Sequence, residues 1–115
     1  MIKRKVDINT VQLLEFKGGK GSVDLIKFME SEDNCGKGRF FAYCTLPQGC
    51  SLGYHQHNGE FETYYFLKGT AKVCDNGTEE ILGPGDCMVC YDGCSHSLEN
   101  IGDCDLEYIA IILNS

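Results

Sequence analysis

The chain has no tryptophan, two prolines and three histidines in 115 residues, and its second half is nearly without positive charge. No apolar run approaches the roughly 20 residues that a membrane-crossing helix needs, so no membrane partner is expected. The basic start Met1-Ile2-Lys3-Arg4-Lys5 is not followed by the apolar core of a secretory signal, which predicts a cytoplasmic location. With two prolines and no low-complexity tract, the chain is not expected to be disordered beyond its ends. No fixed repeat appears that would make a solenoid. Residues 58–115 carry two Lys/Arg against eleven Asp/Glu, residues 1–57 carry eight against six, and the net charge is −7. A chain of that sign repels phosphate backbones, so nucleic acid is excluded as an expected partner.

The amphipathic period of a helix is also missing, and strand signals fill the space it leaves. Short runs rich in Val, Ile, Phe and Tyr are punctuated by fourteen glycines. Strands are predicted at Val11–Phe16, Val23–Met29, Arg39–Leu46, Ser51–His57, Glu60–Leu67, Thr70–Cys74, Thr78–Leu82, Asp86–Tyr91, Ser95–Asn100 and Leu106–Leu113. The polar segment Glu30–Gly38 reads as a loop. Such spacing, about ten residues per strand, is that of an all-β sandwich or barrel. The length suits a single domain over residues 1–115, large enough to fold without staples.

Eight cysteines are many for this length. Secreted disulfide frameworks share that density, but most of these lie within strand-like runs, where Cys behaves as a small hydrophobe. Free thiols are expected. The Cys87, Cys90, Cys94 cluster could suggest a thiolate metal site, but Cys87 and Cys90 fall on opposite faces of a strand.

His55 and His57 are two apart, so on a strand they share a face. Asn58-Gly59 follows directly and is a strong signal for a two-residue hairpin. In a tight hairpin, His57 would oppose Glu60 and His55 would oppose Glu62, and all four side chains would project to one side. An isolated His-x-His pair is more often an ordinary surface feature. Here the pair sits on a strand, a carboxylate faces it, and His96 is the one histidine left to complete a transition-metal shell. The hairpin alone does not choose between Glu60 and Glu62.

The same residues carry a longer pattern. Gly49-CSLGY-His55-Q-His57-NGEF-Glu62-TYYFLK-Gly69 and Gly85-DCMVC-Tyr91-D-Gly93-CS-His96-SLE-Asn100 resemble the two motifs of the cupin superfamily, at residues 49–69 and 85–100. One fixed position departs, with Tyr91 standing where proline is usual. The resemblance implies a double-stranded β-helix, the cupin jelly-roll barrel, with one divalent metal ion (Fe, Mn, Ni, Zn or Cu) on His55, His57, Glu62 and His96. It also implies a homodimer, with the outlying Val11–Phe16 strand a candidate to pair with a neighbour.

Glu60 then becomes a candidate catalytic acid or base beside the metal. Tyr54, Tyr64, Tyr65, Phe66 and Phe41 are expected mostly in the core, with some lining a small-molecule pocket. Gly83-Pro84-Gly85-Asp86 reads as a turn, and Asn100 as a residue securing the turn after His96. Arg39 is the single arginine beyond the N-terminus and would suit an anionic ligand, although strand alternation does not fix where it points. The expected function is a metal-dependent enzyme acting on a sugar or hydroxy-acid, of isomerase, epimerase, decarboxylase or dioxygenase type. The alternative is a non-catalytic small-molecule binder or sensor whose metal orders the pocket.

Overall fold

A computed structural model describes residues Met1–Ser115. Ten strands run β1 (Asn9–Leu14), β2 (Ser22–Lys27), β3 (Gly38–Leu46), β4 (Ser51–Gln56), β5 (Glu60–Lys68), β6 (Ala71–Asp75), β7 (Thr78–Leu82), β8 (Cys87–Cys90), β9 (Ser95–Asn100) and β10 (Leu106–Asn114). They form two antiparallel sheets packed face to face. One has six strands in the order β1-β2-β3-β10-β5-β8, and the other has four in the order β4-β9-β6-β7. The all-β jelly roll expected from the sequence is the fold observed.

Period-two patterning explains why these segments pair as they do. Along β10, Leu106, Tyr108, Ala110 and Ile112 are buried while the residues between them are not. Strand β3 supplies Ala42, Cys44 and Leu46 to the same core, and Phe66, Val73 and Leu98 close it from both sheets. Each large apolar side chain buried this way contributes about 1.5–3 kcal/mol. The edge strand β7 is the exception, exposed along nearly its whole length. Its Glu79 and Glu80 discourage pairing with another chain.

Short 3-10 turns occupy Lys5–Asp7, Phe16–Gly18 and Ser31–Asn34. The first predicted strand therefore ends early. It stops at Leu14 because Glu15 and Lys17 take left-handed conformations, with φ of 47° and 56°, and Phe16 turns in toward the barrel. The candidate pairing strand β1 bonds β2 within its own chain, from Asn9↔Lys27 to Leu14↔Ser22.

The predicted hairpin at Asn58-Gly59 does not form. β4 lies in the four-stranded sheet against β9, whereas β5 lies in the six-stranded sheet between β10 and β8. His55 opposes His96, not Glu62. The chain crosses from one sheet to the other at residues 57–59, and His57 bonds through its backbone to the 93–94 turn, its N–H to the Cys94 carbonyl and its carbonyl from the Gly93 N–H. The Asn-Gly dipeptide that does make a hairpin is Asn76-Gly77, joining β6 to β7. There both residues have positive φ, 48° and 98°, as that turn type requires. At residues 58–59 only Gly59 does.

A β-bulge interrupts β3 near its start. Ile112 of β10 pairs with Phe40, but Leu113 pairs with Gly38, so Arg39 is left over. Bulges re-aim a side chain, and this one decides the direction of Arg39.

Candidate metal centre

The two sheets converge their polar residues at one end of the barrel. His55 comes from β4, His57 from the crossover, His96 from β9 and Glu62 from β5. The imidazole centroids lie 4.7 Å apart for His55–His96, 5.1 Å for His55–His57 and 5.0 Å for His57–His96. Glu62 Oε1 lies 3.1 Å from His57 Nε2 and 3.0 Å from His96 Nε2. The two Nε2 atoms are themselves 3.1 Å apart. Four ligand atoms, one from each residue, fall within 4.8 Å of one another. His57, Glu62 and His96 are all buried.

Two of the imidazoles have their second nitrogen occupied. His55 Nδ1 is 2.7 Å from the Gly53 carbonyl, and His57 Nδ1 is 2.6 Å from Glu60 Oε2. With those N–H groups donating, the Nε2 atoms are left as lone pairs pointing inward. Tyr64 stacks on His96 with a 15° interplanar angle and holds that ring flat against the wall. His96 Nδ1 is buried without a partner.

This arrangement suits a cation. The Nε2 atoms of His57 and His96 and an anionic oxygen of Glu62 meet in a triangle with sides of 3.0–3.1 Å. Ligands at about 2.1 Å and right angles around one ion are separated by about 3.0 Å. Nitrogen and carboxylate donors together fit first-row transition metals.

Local electrostatics follow from the contacts. Burial lowers the His55 pKa. The Glu62 hydrogen bond raises that of His57 against the effect of burial, helped by Glu60. For Glu62, burial pushes the carboxyl up, but the His57 and His96 contacts outweigh it and hold it below the ordinary value. Arg39 and, against burial, His57 hold Glu60 down at about 2. Burial drives the Tyr64 and Tyr108 hydroxyls well above their ordinary range.

A cavity of about 230 Å³ opens onto the cluster. Val23, Leu25, Phe40, Leu52 and Ile112 give it apolar walls, Tyr64 and Tyr108 lie deeper, and Lys17, Lys27 and Arg39 also line it. Glu62 is the one carboxylate in the lining. Glu60 stands behind His57, gripped by Arg39 through Nε–Oε1 and Nη2–Oε2 contacts of 2.7 Å each.

The chain belongs to the cupin family. The sequence pattern of the family described as a cupin domain matches residues 42–112. An oxalate-binding protein of Thermotoga maritima is 40% identical over 113 residues, 98% of this chain and 93% of that protein. The crystal structure of a protein of the same organism, described as a predicted oxalate decarboxylase, superposes with a TM-score of 0.94 at 39% identity over the whole of both chains. The polyketide cyclase RemF from Streptomyces resistomycificus shares the fold at 18% identity, with a TM-score of 0.75 over 99% of this chain and 85% of that one.

The structure thus brings His55, His57, Glu62 and His96 together, and sets Glu60 outside the cavity. Tyr64 lines the site, Phe66 and Phe41 are buried away from it, and Tyr54 and Tyr65 are exposed. Asn100 is buried and binds backbone, as expected of a residue securing a turn. The turn before His96 closes without proline, through a Cys94 N–H bond to the Tyr91 carbonyl. All eight cysteines are unpaired, with Cys87 exposed and Cys90 buried on the other face. Burial raises the Cys90 thiol to about 11, which keeps it protonated and a poor metal ligand. No helix is long and apolar enough to cross a membrane.

Sequence reading missed Phe16, Lys17, Lys27, Phe40 and Tyr108 as cavity residues. For Lys27 a signal existed. It shares the inward face of β2 with Val23 and Leu25 by alternation, and a lysine on an inward face calls for a partner.

Proposed function

We propose that this chain binds one divalent metal ion through His55, His57, Glu62 and His96, and through that ion a small dicarboxylate of the oxalate type. The observation that carries this reading is a three-imidazole, one-carboxylate cluster, buried except at His55, facing a cavity lined by Lys17 and Lys27 and by the Glu60-paired Arg39. The ion would supply Lewis acidity and a chelation point for two ligand oxygens. Lys17 and Lys27 favour an anion, Arg39 being paired with Glu60, and the apolar walls restrict water, which strengthens the attraction. The oxalate-binding relative supports the ligand class.

Between the two readings of the sequence, binding is favoured over turnover. Decarboxylation of hydrogen oxalate to formate and carbon dioxide needs a proton delivered to carbon. The carboxyl groups near the cavity are Glu62, which the ion would occupy, and Glu60, which Arg39 and His57 hold ionised.

Calorimetry with oxalate, run on metal-loaded and chelated protein, tests this. Metal-dependent binding with oxalate recovered intact is expected. Equal binding to the chelated protein overturns the metal's role, and accumulating formate restores the enzyme. The His55→Ala, His57→Ala double variant should hold metal at least a hundredfold more weakly than the parent, given the loss of two ligands of four.

The reading extends to a cytoplasmic homodimer. Ile26, Tyr43, Ile109 and Tyr65 stand in one register row across the outer face of the six-stranded sheet, and a second copy would cover them. Light scattering at a mass of 12.8 kDa removes the dimer.

A further inference from the structure

Each of the three imidazoles has a different group behind it. His55 Nδ1 meets a neutral carbonyl, that of Gly53, at 2.7 Å. His57 Nδ1 meets a carboxylate, that of Glu60, at 2.6 Å. His96 Nδ1 meets nothing. The Glu60 carboxylate is itself fixed by the Arg39 fork, both oxygens being engaged at 2.7 Å. Two parallel bonds set the plane of the carboxylate as well as its position.

Arg39 reaches this place by the bulge in β3. Without the unpaired residue between Gly38 and Phe40, alternation would send its side chain to the outer face with Phe41 and Tyr43. A bulge gives up ladder hydrogen bonds, and an ion pair whose arginine is 57% exposed returns little stability for them. What the bulge secures is orientation. Oxygen Oε2 of Glu60 accepts from both Arg39 and His57, so the arginine, the carboxylate and the imidazole form one continuous chain ending at the buried donor triangle.

We propose that Arg39, Glu60 and His57 act as a positioning relay. Glu60 fixes His57 as the Nδ1–H tautomer and aims its Nε2 lone pair at the ion, and Arg39 holds Glu60 in place. The proposal rests on the metal-binding reading of the cluster, and it makes Glu60 a positioning residue in place of the catalytic acid or base expected from the sequence. A carboxylate behind a ligating imidazole also makes that imidazole the better donor, so of the three histidines His57 holds the ion most strongly.

The test uses Zn²⁺ as the probe, with affinity measured by chelator competition on the full chain. Nitrogen-15 NMR of the histidine rings at pH 8 reads the tautomer in metal-free protein. Glu60→Gln should weaken Zn²⁺ binding by about 10–100-fold and turn the His57 signal from one tautomer into a mixture. Arg39→Lys keeps the charge but loses the fork, and should move both readouts in the same direction by a smaller factor. Lys72→Met, which removes an exposed pair with Glu79, should move neither. A folded Glu60→Gln protein with the parent's affinity and tautomer overturns the relay. If Glu60→Gln does not fold, Arg39→Lys with both readouts unchanged overturns it instead. A parent that binds no Zn²⁺ refutes the metal reading alone. The His57 tautomer in parent and variants then still decides the relay.

Discussion

Strand β9 carries two buried polar side chains at opposite ends of the barrel, and they differ in one respect. Asn100 is 2% exposed and fully satisfied, donating from Nδ2 to the Leu46 and Cys104 carbonyls and accepting the Gly102 N–H at Oδ1. His96 is 1% exposed, its Nδ1 has no partner, and its Nε2 faces another imidazole nitrogen and a carboxylate. A closed network fixes a fold, and an open one of converging nitrogen and carboxylate atoms suits a cation. The Asn100 end closes the barrel, and the His96 end presents the candidate metal centre.

The strongest way to break this contrast is Asn100→Ala. It should cost the metal-free protein about 3 kcal/mol, because three backbone groups, one buried and two partly buried, lose their partner at once. The thermal midpoint should fall by about 10 °C, while the Zn²⁺ affinity of the folded protein stays as it was. A midpoint shift within 2 °C would show that water replaces the amide and that the two ends are alike.

A smaller effect is expected at the other end. His96→Leu in metal-free protein relieves the unpaired Nδ1 but takes from the buried Glu62 carboxylate one of its two imidazole contacts, so the two effects offset and the net change should stay within about 1 kcal/mol. The parent alone should then be stabilised by added metal, by about 2.7 kcal/mol at a hundredfold excess over the dissociation constant. Urea titration with and without Zn²⁺ reads both, and a variant much less stable than the metal-free parent would make His96 a core residue.

Acid sharpens the comparison further. A metal ion requires neutral imidazoles. His57, whose pKa is raised by Glu62, keeps its proton above the ordinary value of about 6.5, and there the proton competes with the ion. His55, lowered by burial, loses its proton sooner. In metal-free protein the raised His57 adds stability below the unfolded value, and this is lost as pH rises through the folded one. The lowered His55 works the other way. The thermal shift caused by metal should therefore grow between pH 5 and pH 7.5. A shift that is flat across this range would remove His57 from the ligand set.

The smallest effect concerns the thiols. Because every cysteine is unpaired, adding a reductant should leave the thermal midpoint within 1 °C, and titration of freshly denatured protein should count eight thiols. A midpoint that falls on reduction would reveal a bridge.

Much of this was legible in the residues. Every strand could be placed to within a few residues because inward and outward positions alternate along β3, β5 and β10. The three histidines and Glu62 could be named, since their spacing resembles that of a cupin. The route to their convergence could not. A tight hairpin at Asn58-Gly59 would bring the right side chains together, but through a pairing that does not exist. Its local turn signal is the same as at Asn76-Gly77, where the hairpin does form.

The sequence by itself determined the strands, their buried faces, the turns at Asn76-Gly77 and Gly83–Asp86, and the residue types that converge. These depend on alternation, φ preferences and ligand chemistry, all of which act over a few residues. Tertiary structure alone decided that β4 pairs with β9, that Glu62 enters the cavity while Glu60 stands behind His57, and that Arg39 turns inward to hold it. Each choice depends on a partner far along the chain: β9 for β4, β10 for the bulge at Arg39, and β3 for Glu60. A local pattern lists which faces are apolar, but burial of those faces against a second sheet selects which edges meet.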